Sequence, residues 1–425
     1  MLTRPDMRDR TTPPTRPLFP YVFLWLLRAA AVGVLTGSAS AFFLWALDLV
    51  TQVRAEHRWL LALLPIAGFA VGWLYFRFGQ HIEGGNDLLI DEIHTPTRVI
   101  PLRMAPFVLG GTLVSQLFGA SVGREGTAVQ MGGALADQLT RVFRLQHADR
   151  RIMLMAGISA GFASVFGTPL AGTVFGLEVL TIGRMGYDAI LPCAVAAVVA
   201  NAVCLAWGIH HTPYAIGAIP PLSIWSFAAV AIAGALFGMT GRVFAAATHA
   251  LSARMKRAIG YPPLRPVVGG VVVASAAWWL HTDRFLGLGI PTITQAFQQR
   301  LPPLDFAAKM AFTIVSLGSG FKGGEVTPLF FIGATLGNAL APLLKVPFPL
   351  LAGLGFVAVF AGAANTPIAS TLMAMELFGA EVGVYALIAC VLSYVFSGHT
   401  GIYRAQRVAQ AKRAPAGHPP PEHST

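Results

Sequence analysis

Charged side chains are scarce in this sequence. Only 12% of its 425 residues are Asp, Glu, Lys or Arg, whereas 55% are hydrophobic. A soluble domain carries about 25% charged residues, so the composition excludes a water-soluble globular protein. Since helices satisfy their own backbone hydrogen bonds within lipid, the sequence predicts an all-α membrane protein that crosses the bilayer several times.

Cysteine is rarer still, with three residues in the chain. Cys193, Cys204 and Cys390 each stand alone in an apolar run, and neither a disulfide framework nor a zinc site has that spacing. His210 and His211 are adjacent, so on a helix their side chains point in different directions and form a poor metal-binding pair. The sequence therefore predicts no metal and no cofactor.

Acidic residues are fewer than basic ones, with 19 Asp and Glu against 30 Lys and Arg. The basic residues crowd into separate regions and do not form one exposed folded face, which argues against a nucleic-acid partner. By the positive-inside rule those regions face the cytoplasm, so both termini are expected there. The regions are the N-terminal arm, the connections 141–151 and 254–265, and the tail 404–413.

Apolar segments of two lengths make up most of the chain. Residues 1–19 are polar and rich in proline, which predicts a flexible arm, and the polar residues 413–425 are expected to form a disordered tail. A polar interruption at 81–98 cannot face lipid, so it lines water or packs within protein. Segments shorter than about 20 residues and broken by Gly or Pro are typical of helices that end inside the bilayer. The predicted segments are 20–52, 59–78, 103–118, 124–141, 150–165, 168–183, 188–208, 221–252, 265–281, 304–318, 325–343, 347–363, 367–379, 382–397 and 400–412, with the proline-bearing stretch 286–303 as a connection.

A polar motif in the first half of the chain recurs in the second. Gly123-Arg-Glu-Gly-Thr127 and Gly323-Gly-Glu-Val-Thr327 share the pattern Gly-x-Glu-x-Thr, and Gly-Ala follows both at the same distance. Another pair of segments begins at Thr168-Pro169 and Thr366-Pro367, where threonine at the N-cap and proline in the first turn mark a helix start. These linked matches predict two repeats, of inverted topology as in many transporters. The repeats are expected at about 20–208 and 221–412.

Each copy of the motif places a carboxylate, Glu125 or Glu325, among glycines at the start of a membrane helix. An ionisable group at that depth is costly and usually lies on a pathway for ions or protons. Because helix N-termini bind anions, an ionised glutamate competes with a transported anion, and a protonated one releases the site. We therefore predict that Glu125 is the outer gate and that Glu325 carries the proton onward. The alternative for both is structural, as helix caps or as partners of Arg124 and Lys322.

The chain resembles the CLC superfamily of anion channels and anion/proton exchangers over residues 20–412. Four stretches carry the resemblance. Gly123-Arg-Glu-Gly126 resembles the gating-glutamate motif, Gly85-Asn-Asp-Leu-Leu89 the Gly-Ser-Gly-Ile-Pro signature, Gly324-Glu-Val-Thr-Pro328 the Gly-x-Phe-x-Pro motif, and Tyr403 the inner pore tyrosine.

Departures from the family pattern indicate which branch of the superfamily the chain resembles. Asn86 replaces the pore serine, Thr127 the proline of the gating motif and Val326 the phenylalanine, while Glu325 adds a carboxylate. Together they are similar to the fluoride/proton antiporter branch of bacterial members. Val179 stands where the chloride/proton exchangers carry an inner glutamate, so their inward proton relay is expected to be absent.

The resemblance implies a homodimer with one pore per subunit in a bacterial inner membrane. Such a protein exports fluoride in exchange for protons and is not an enzyme. The resemblance assigns anion binding to Asn86, Gly126, Val326, Thr327 and Tyr403, among which the amide and hydroxyl groups are capable donors. Each polar side chain also has a plainer interpretation: Asn86 as a turn residue, Thr327 as a helix cap, and Tyr403 as an interfacial aromatic.

Other functions stay open at this stage. A chloride/proton exchanger or a passive anion channel of the same superfamily is the nearest alternative. An intramembrane hydrolase built on Ser319 has no histidine in an apolar segment to activate the serine. The fingerprint-like stretch 318–323 follows a membrane helix, whereas a dinucleotide-binding motif follows a strand.

Several other acidic residues have structural interpretations. Glu178 and Glu376 lie at corresponding helix ends in the two repeats, where they are expected to pair with arginine or backbone. Asp87, Asp91 and Glu92 are expected to form a solvated turn.

Overall fold

The structure, a computed structural model, describes residues 18–412. The expected tail at 413–425 lies outside this range, as does the expected arm at 1–19 except for Leu18 and Phe19, which already belong to the first helix. Within the described range the chain forms sixteen α-helices and two short strands. Five helical segments are long and apolar enough to cross a membrane, which confirms the predicted all-α polytopic class.

The first eight helices and the second eight have similar lengths at corresponding positions. Each set begins with a helix of at least 35 residues, and its third member has only nine. This order supports a duplicated fold of two inverted repeats, and the boundaries 20–208 and 221–412 stay a prediction. The first set comprises α1 Leu18–Glu56, α2 Leu64–Phe78, α3 Asn86–His94, α4 Met104–Leu117, α5 Glu125–Val142, α6 His147–Phe166, α7 Pro169–Glu178 and α8 Ile190–Ala206. The second comprises α9 Ile224–Ala258, α10 Leu264–Trp279, α11 Ile290–Gln298, α12 Asp305–Ser319, α13 Val326–Leu344, α14 Phe348–Ala364, α15 Pro367–Phe378 and α16 Gly383–Phe396. Short 3₁₀ turns at Arg58–Leu63, Tyr187–Ala189 and Ala380–Val382 lead into α2, α8 and α16.

Three parts of the fold differ from the predicted segments. The polar interruption 81–98 contains α3 and the connection 286–303 contains α11, and a nine-residue helix is too short for its periodicity to stand out. The segment 400–412 is not a helix. It is irregular apart from strand β2, Arg407–Val408, which pairs in parallel with β1, Thr181–Ile182, so its backbone bonds to another part of the chain.

Small residues let the helices that follow the two motifs cross closely. Where α5 meets α6, a Cβ added to Gly132 would lie 2.2 Å from the Gly157 carbonyl oxygen. Where α13 meets α14, a Cβ added to Gly333 would lie 1.9 Å from the Gly355 carbonyl oxygen. The two crossings are equivalent in the two repeats, and both hold the start of a motif helix in place.

Glu178 and Glu376 stabilise helix starts in the opposite repeat. The carboxylate of Glu376 accepts the backbone N–H of Ala171 near the start of α7, and that of Glu178 accepts the N–H of Ala369 near the start of α15, both at 2.8 Å. A carboxylate at a helix N-terminus satisfies free donors and complements the dipole. The structural interpretation of both residues is confirmed, and the reciprocal exchange relates the two repeats by an approximate two-fold axis.

Arg150 joins three helices through a buried ion network. Its Nε lies 2.6 Å from Oδ1 of Asp137 on α5, and its Nη1 lies 3.2 Å from Oε2 of Glu92 on α3. The expected solvated turn of Asp87, Asp91 and Glu92 is wrong, because all three lie on α3. Glu92 is only 5% exposed, Asp87 is half-buried, and Asp91 alone is exposed. The polar sequence at the start of α6 instead supplies the counter-charge that allows α3 to pack inside the protein.

Replacing Arg150 with Met is expected to destabilise the protein by about 3–5 kcal/mol, because Glu92 and Asp137 would stay buried without a counter-charge. Thermal unfolding in detergent measures the change. Arg151→Met is the control, since it breaks only an exposed pair with Asp188, worth about 0–1 kcal/mol. Equal unfolding temperatures for the two variants would contradict the prediction.

Candidate functional site

The two sequence motifs meet directly. The backbone N–H of Gly123 donates to the Gly324 carbonyl at 2.6 Å, and the N–H of Gly324 donates back to Gly123 at 2.8 Å. This isolated antiparallel bridge places the start of α5, at Glu125, beside the start of α13, at Val326. The predicted helix starts are confirmed, and the structure brings together the two carboxylates of the motifs.

The Glu125 carboxylate occupies the N-terminus of α13. Its Oε2 accepts the backbone N–H of Thr327 at 3.0 Å, and its Oε1 accepts the Thr327 hydroxyl. The backbone N–H of Arg124 donates to Oε2 at 3.1 Å, and the Arg124 Nε lies 3.5 Å from Oε1. Since Glu125 is 1% exposed, its side chain fills a buried site of the kind that helix N-termini offer to anions.

Glu325 lies beside Gly324, in the other of the two bridged segments, and its Oε2 is buried without a hydrogen-bond partner. A Cβ added to Gly126 would lie 3.1 Å from Nδ2 of Asn86 and 3.8 Å from that Oε2. Asn86 is the first residue of α3, and its Oδ1 also lacks a partner. A side chain at position 126 would therefore press against the Asn86 amide, and the glycine allows that amide to lie close to the unpaired oxygen of Glu325.

Two cavities lie beside the two bridged segments. The larger has a volume of about 380 Å³ and is lined by Asn86, Glu325 and Tyr403. The smaller has a volume of about 30 Å³ and is lined by Glu125 and Thr327. The two carboxylates thus line different cavities. Val326 is 1% exposed and lines neither cavity.

Helix α9 indicates which face of the membrane each cavity approaches. Lys256 near its C-terminus and Arg265 beyond it line the larger cavity, and both belong to the basic connection that the positive-inside rule assigns to the cytoplasm. The 35 residues of α9 span about 50 Å, so the connection that precedes it lies at the opposite face. That connection supplies His211 and Tyr214 to the smaller cavity. We therefore call the larger space the inner cavity and the smaller one the outer cavity.

Tyr403 lies in the irregular segment before β2 and lines the inner cavity. It is only 5% exposed, so it is not an interfacial aromatic. The backbone N–H of Ala405 donates to Oδ1 of Asp87 at 3.1 Å, and the Gln406 amide donates to the Val179 carbonyl at 2.8 Å. No helix begins near Tyr403 within the described residues, and the donor available there is its hydroxyl.

Lys322 lines the inner cavity, where its Nζ lies 4.1 Å from the centroid of the Tyr75 ring. Among residues 18–412, no ion pair joins Lys322 to Glu325, whereas Arg124 does contact Glu125. Together with Lys256 and Arg265, Lys322 places positive charge along the inner cavity, which is also lined by the carboxyl groups of Glu83, Asp87 and Glu325. Pairing with Lys322 is therefore not the role of Glu325.

Comparison with known proteins agrees with this architecture. Residues 67–398 match the model of a family described as voltage gated chloride channel. The chain belongs to this family. Its members are ion channels and ion-exchange transporters, so the chain is a transport protein of the CLC type and not an enzyme, and members need no cofactor.

Several CLC-type relatives are similar along most of the chain. A chloride/fluoride channel protein of Pseudomonas syringae pv. tomato is 63% identical over 401 residues, which cover 93% of this chain and 89% of that protein. The H(+)/Cl(-) exchange transporter ClcA of Vibrio vulnificus is 29% identical over 385 residues, covering 83% and 81%. The crystal structure of a CLC-type fluoride/proton antiporter has a TM-score of 0.90 and 34% identity, covering 93% of this chain and all of that one.

Ser319 does not form a hydrolase site in this CLC-type chain. Its hydroxyl donates to the Ser316 carbonyl at 3.0 Å, and a Cβ added to Gly269 would lie 1.9 Å from its Oγ. The serine is 1% exposed and packs one helix against another. In the part of the chain that the structure describes, no histidine is hydrogen-bonded to it.

Three polar residues near the CLC-type motifs were not predicted as site residues. The hydroxyl groups of Thr112 and Thr127 are hydrogen-bonded at 2.6 Å and both residues line the inner cavity. His211 lines the outer cavity beside Glu125. Thr112 lies inside an apolar helix and His211 in a connection far along the chain from either motif, so the sequence carries no local signal for these placements.

Proposed function

We propose that this chain is a secondary antiporter that exports fluoride in exchange for protons across the bacterial inner membrane. The observation that carries the proposal is the Glu125 carboxylate bound to the Thr327 donors at the start of α13. A side chain that loses its charge on protonation and occupies an anion site links the two ions. The names of two relatives support fluoride as the anion: one is a chloride/fluoride channel protein and the other a CLC-type fluoride/proton antiporter.

The coupling follows from competition for the same donors. Ionised Glu125 holds the N–H and hydroxyl of Thr327 and excludes the anion. A proton removes the charge that strengthens those hydrogen bonds, so Glu125 leaves and fluoride takes its place. Each exchange at α13 therefore requires a proton on Glu125.

Fluoride is small and holds its water more tightly than chloride does, so its site has to supply strong donors. The Asn86 amide, the Thr127 hydroxyl and the Tyr403 hydroxyl all line the inner cavity, and Gly126 leaves room among them. We propose that fluoride passes Asn86, Gly126 and Tyr403 before it reaches the first turn of α13. Val326 contributes through the backbone of that turn.

We propose that the proton leaves toward the cytoplasm through Glu325. The position of the inner glutamate in chloride/proton exchangers is taken by Val179, which is 3% exposed. Glu325 lines the inner cavity and has a buried oxygen without a partner, so it can accept a proton from Glu125 and release it to water there.

Ion efflux from reconstituted vesicles tests the proposed function. Vesicles loaded with fluoride, chloride or nitrate are compared while the external pH is recorded. We expect rapid fluoride efflux with alkalinisation outside, because each exchange carries protons inward, and little efflux of the larger anions. Fluoride release without a pH change would identify a passive channel, and equally fast chloride exchange would identify a chloride/proton exchanger.

We further propose a homodimer with one complete pore in each subunit and both termini in the cytoplasm. The resemblance to the CLC superfamily supports a complete pore within each subunit. Mass measurement of the purified protein in detergent tests the dimer. Accessibility of engineered terminal cysteines to an impermeant label tests the orientation.

Replacing Thr327 with Val is expected to raise the fluoride concentration for half-maximal transport about tenfold. Val keeps the side-chain shape but removes one hydroxyl donor, and a hydrogen bond to a charged group is worth about 1.5–3 kcal/mol. Fluoride flux at graded concentrations measures the effect. Thr335→Val is the control, because that hydroxyl donates to Phe331 of its own helix at 2.7 Å; a similar shift in both variants would contradict a specific role.

A further inference from the structure

His211 lies in the connection between α8 and α9, at the face of the membrane opposite the inner cavity. Its ring packs against the end of α6: a Cβ added to Gly167 would lie 2.4 Å from the ring carbon Cδ2. The ring also lines the outer cavity together with Glu125. The fold thus brings an imidazole next to the gate, although the two residues are far apart in the sequence.

The Nε2 atom of His211 is buried and has no hydrogen-bond partner. The ring faces the backbone of Val165, in the last turn of α6, where carbonyl groups have no partner within the helix. We assign the ring hydrogen to Nδ1, which can donate to that carbonyl. In the neutral ring Nε2 is then a free acceptor.

Few other polar groups line the outer cavity. They are the guanidinium of Arg124 and the hydroxyl groups of Thr212, Tyr214 and Thr327. The remaining lining is apolar, with Phe166, Phe330 and Phe356 among its members. Beside Glu125, the imidazole is the group in this lining that can both accept and donate a proton. Burial, followed by the charges of Arg124 and His210, lowers the pKa of His211 to about 4, so the ring is neutral at rest and holds a proton only while passing it on.

We propose that His211 is the outer proton relay, which accepts protons from the outer aqueous phase and passes them to Glu125. The inference rests on the proposed antiport function. A proton from water binds Nε2 while Nδ1–H stays on Val165. The same proton then moves to a carboxylate oxygen of Glu125, the ring returns to its neutral form, and the neutral glutamic acid releases Thr327. The guanidinium of Arg124 disfavours a second positive charge nearby, so the proton is passed on and not stored.

His211→Asn separates this role from a structural one. The asparagine amide can still donate to Val165 in place of Nδ1–H, but it cannot carry a proton. We expect coupled fluoride/proton exchange to slow at least about tenfold at outer pH 7.5, since a positioned proton donor typically contributes 10²–10⁴-fold. The proton-to-fluoride ratio should be unchanged, because Glu125 still enforces the exchange. The deficit should shrink as the outer pH falls to 5 and protons become abundant.

Two further variants complete the experiment in reconstituted vesicles. His210→Asn is the matched control, since His210 is exposed and does not line the cavity, and it should exchange at the wild-type rate. His211→Ala should recover when imidazole is added outside. Wild-type exchange and an unchanged pH profile in His211→Asn would overturn the proposal, as would a deficit that does not depend on outer pH. If the wild-type protein instead releases fluoride with no pH change, the antiport function itself is wrong, whereas a Glu125→Gln protein that keeps proton coupling rules out only Glu125 as the gate.

Discussion

Replacing Glu125 with Gln is expected to abolish proton movement while fluoride continues to cross. The amide is the same size as the carboxylate but cannot take up and release a proton. It also lacks the charge that strengthens the three hydrogen bonds from Thr327 and Arg124. We expect fluoride to displace it without help from a proton, so that proton flux falls below about 1% of the wild-type value. Simultaneous recording of fluoride and pH in vesicles measures both fluxes.

Glu381→Gln is the control for that experiment. Glu381 is exposed and lies in the turn before α16, away from both cavities, and its variant should keep wild-type coupling. A Glu125→Gln protein that still moves protons with fluoride would rule out Glu125 as the gate. The anion site at α13 would then need another means of excluding fluoride between cycles.

The two carboxylates of the site could be predicted from the sequence because they belong to two copies of one motif. Glu125 and Glu325 are costly residues in an apolar chain, and their repetition at helix starts is visible without a structure. The reciprocal caps of Glu178 and Glu376 follow from the same duplication, because a carboxylate at each helix end needs donors. Functional or structural roles can therefore be predicted from the sequence alone when costly residues, such as carboxylates in an apolar chain, recur at corresponding positions.

Contacts that depend on the folded path of the chain could not be predicted in this way. Neither of the two motifs contains a pattern that predicts the bridge between Gly123 and Gly324. Helix α3 is too short and too polar for a helical period to be recognised in its sequence. Tyr403 was expected in a helical segment, 400–412. It lies instead in the irregular segment before β2, the strand that pairs with β1. His211 lines the same cavity as Glu125 because its ring packs against Gly167 at the end of α6. These placements follow from tertiary packing, which a local pattern does not contain.

Replacing Glu325 with Gln is expected to stop both fluxes, by at least about 100-fold. The gate remains intact, so Glu125 still holds Thr327 whenever it is ionised. Without Glu325, however, a proton on Glu125 has no relay to the inner cavity, and the cycle stalls. Fluoride and pH recordings distinguish this block from the fluoride leak of Glu125→Gln. The control is Glu83→Gln, since Glu83 also lines the inner cavity but is exposed.

The double variant Glu125→Gln/Glu325→Gln tests the order of the two carboxylates on the pathway. If Glu325 acts only by relaying the proton of Glu125, removing the gate makes the relay irrelevant. We therefore expect the second substitution to restore fluoride movement that Glu325→Gln alone abolishes, still without protons. Residues that act as a unit show such non-additive effects. A double variant that stays blocked would mean that Glu325 is needed for the passage of fluoride itself, and that its unpaired oxygen helps to shape the anion path.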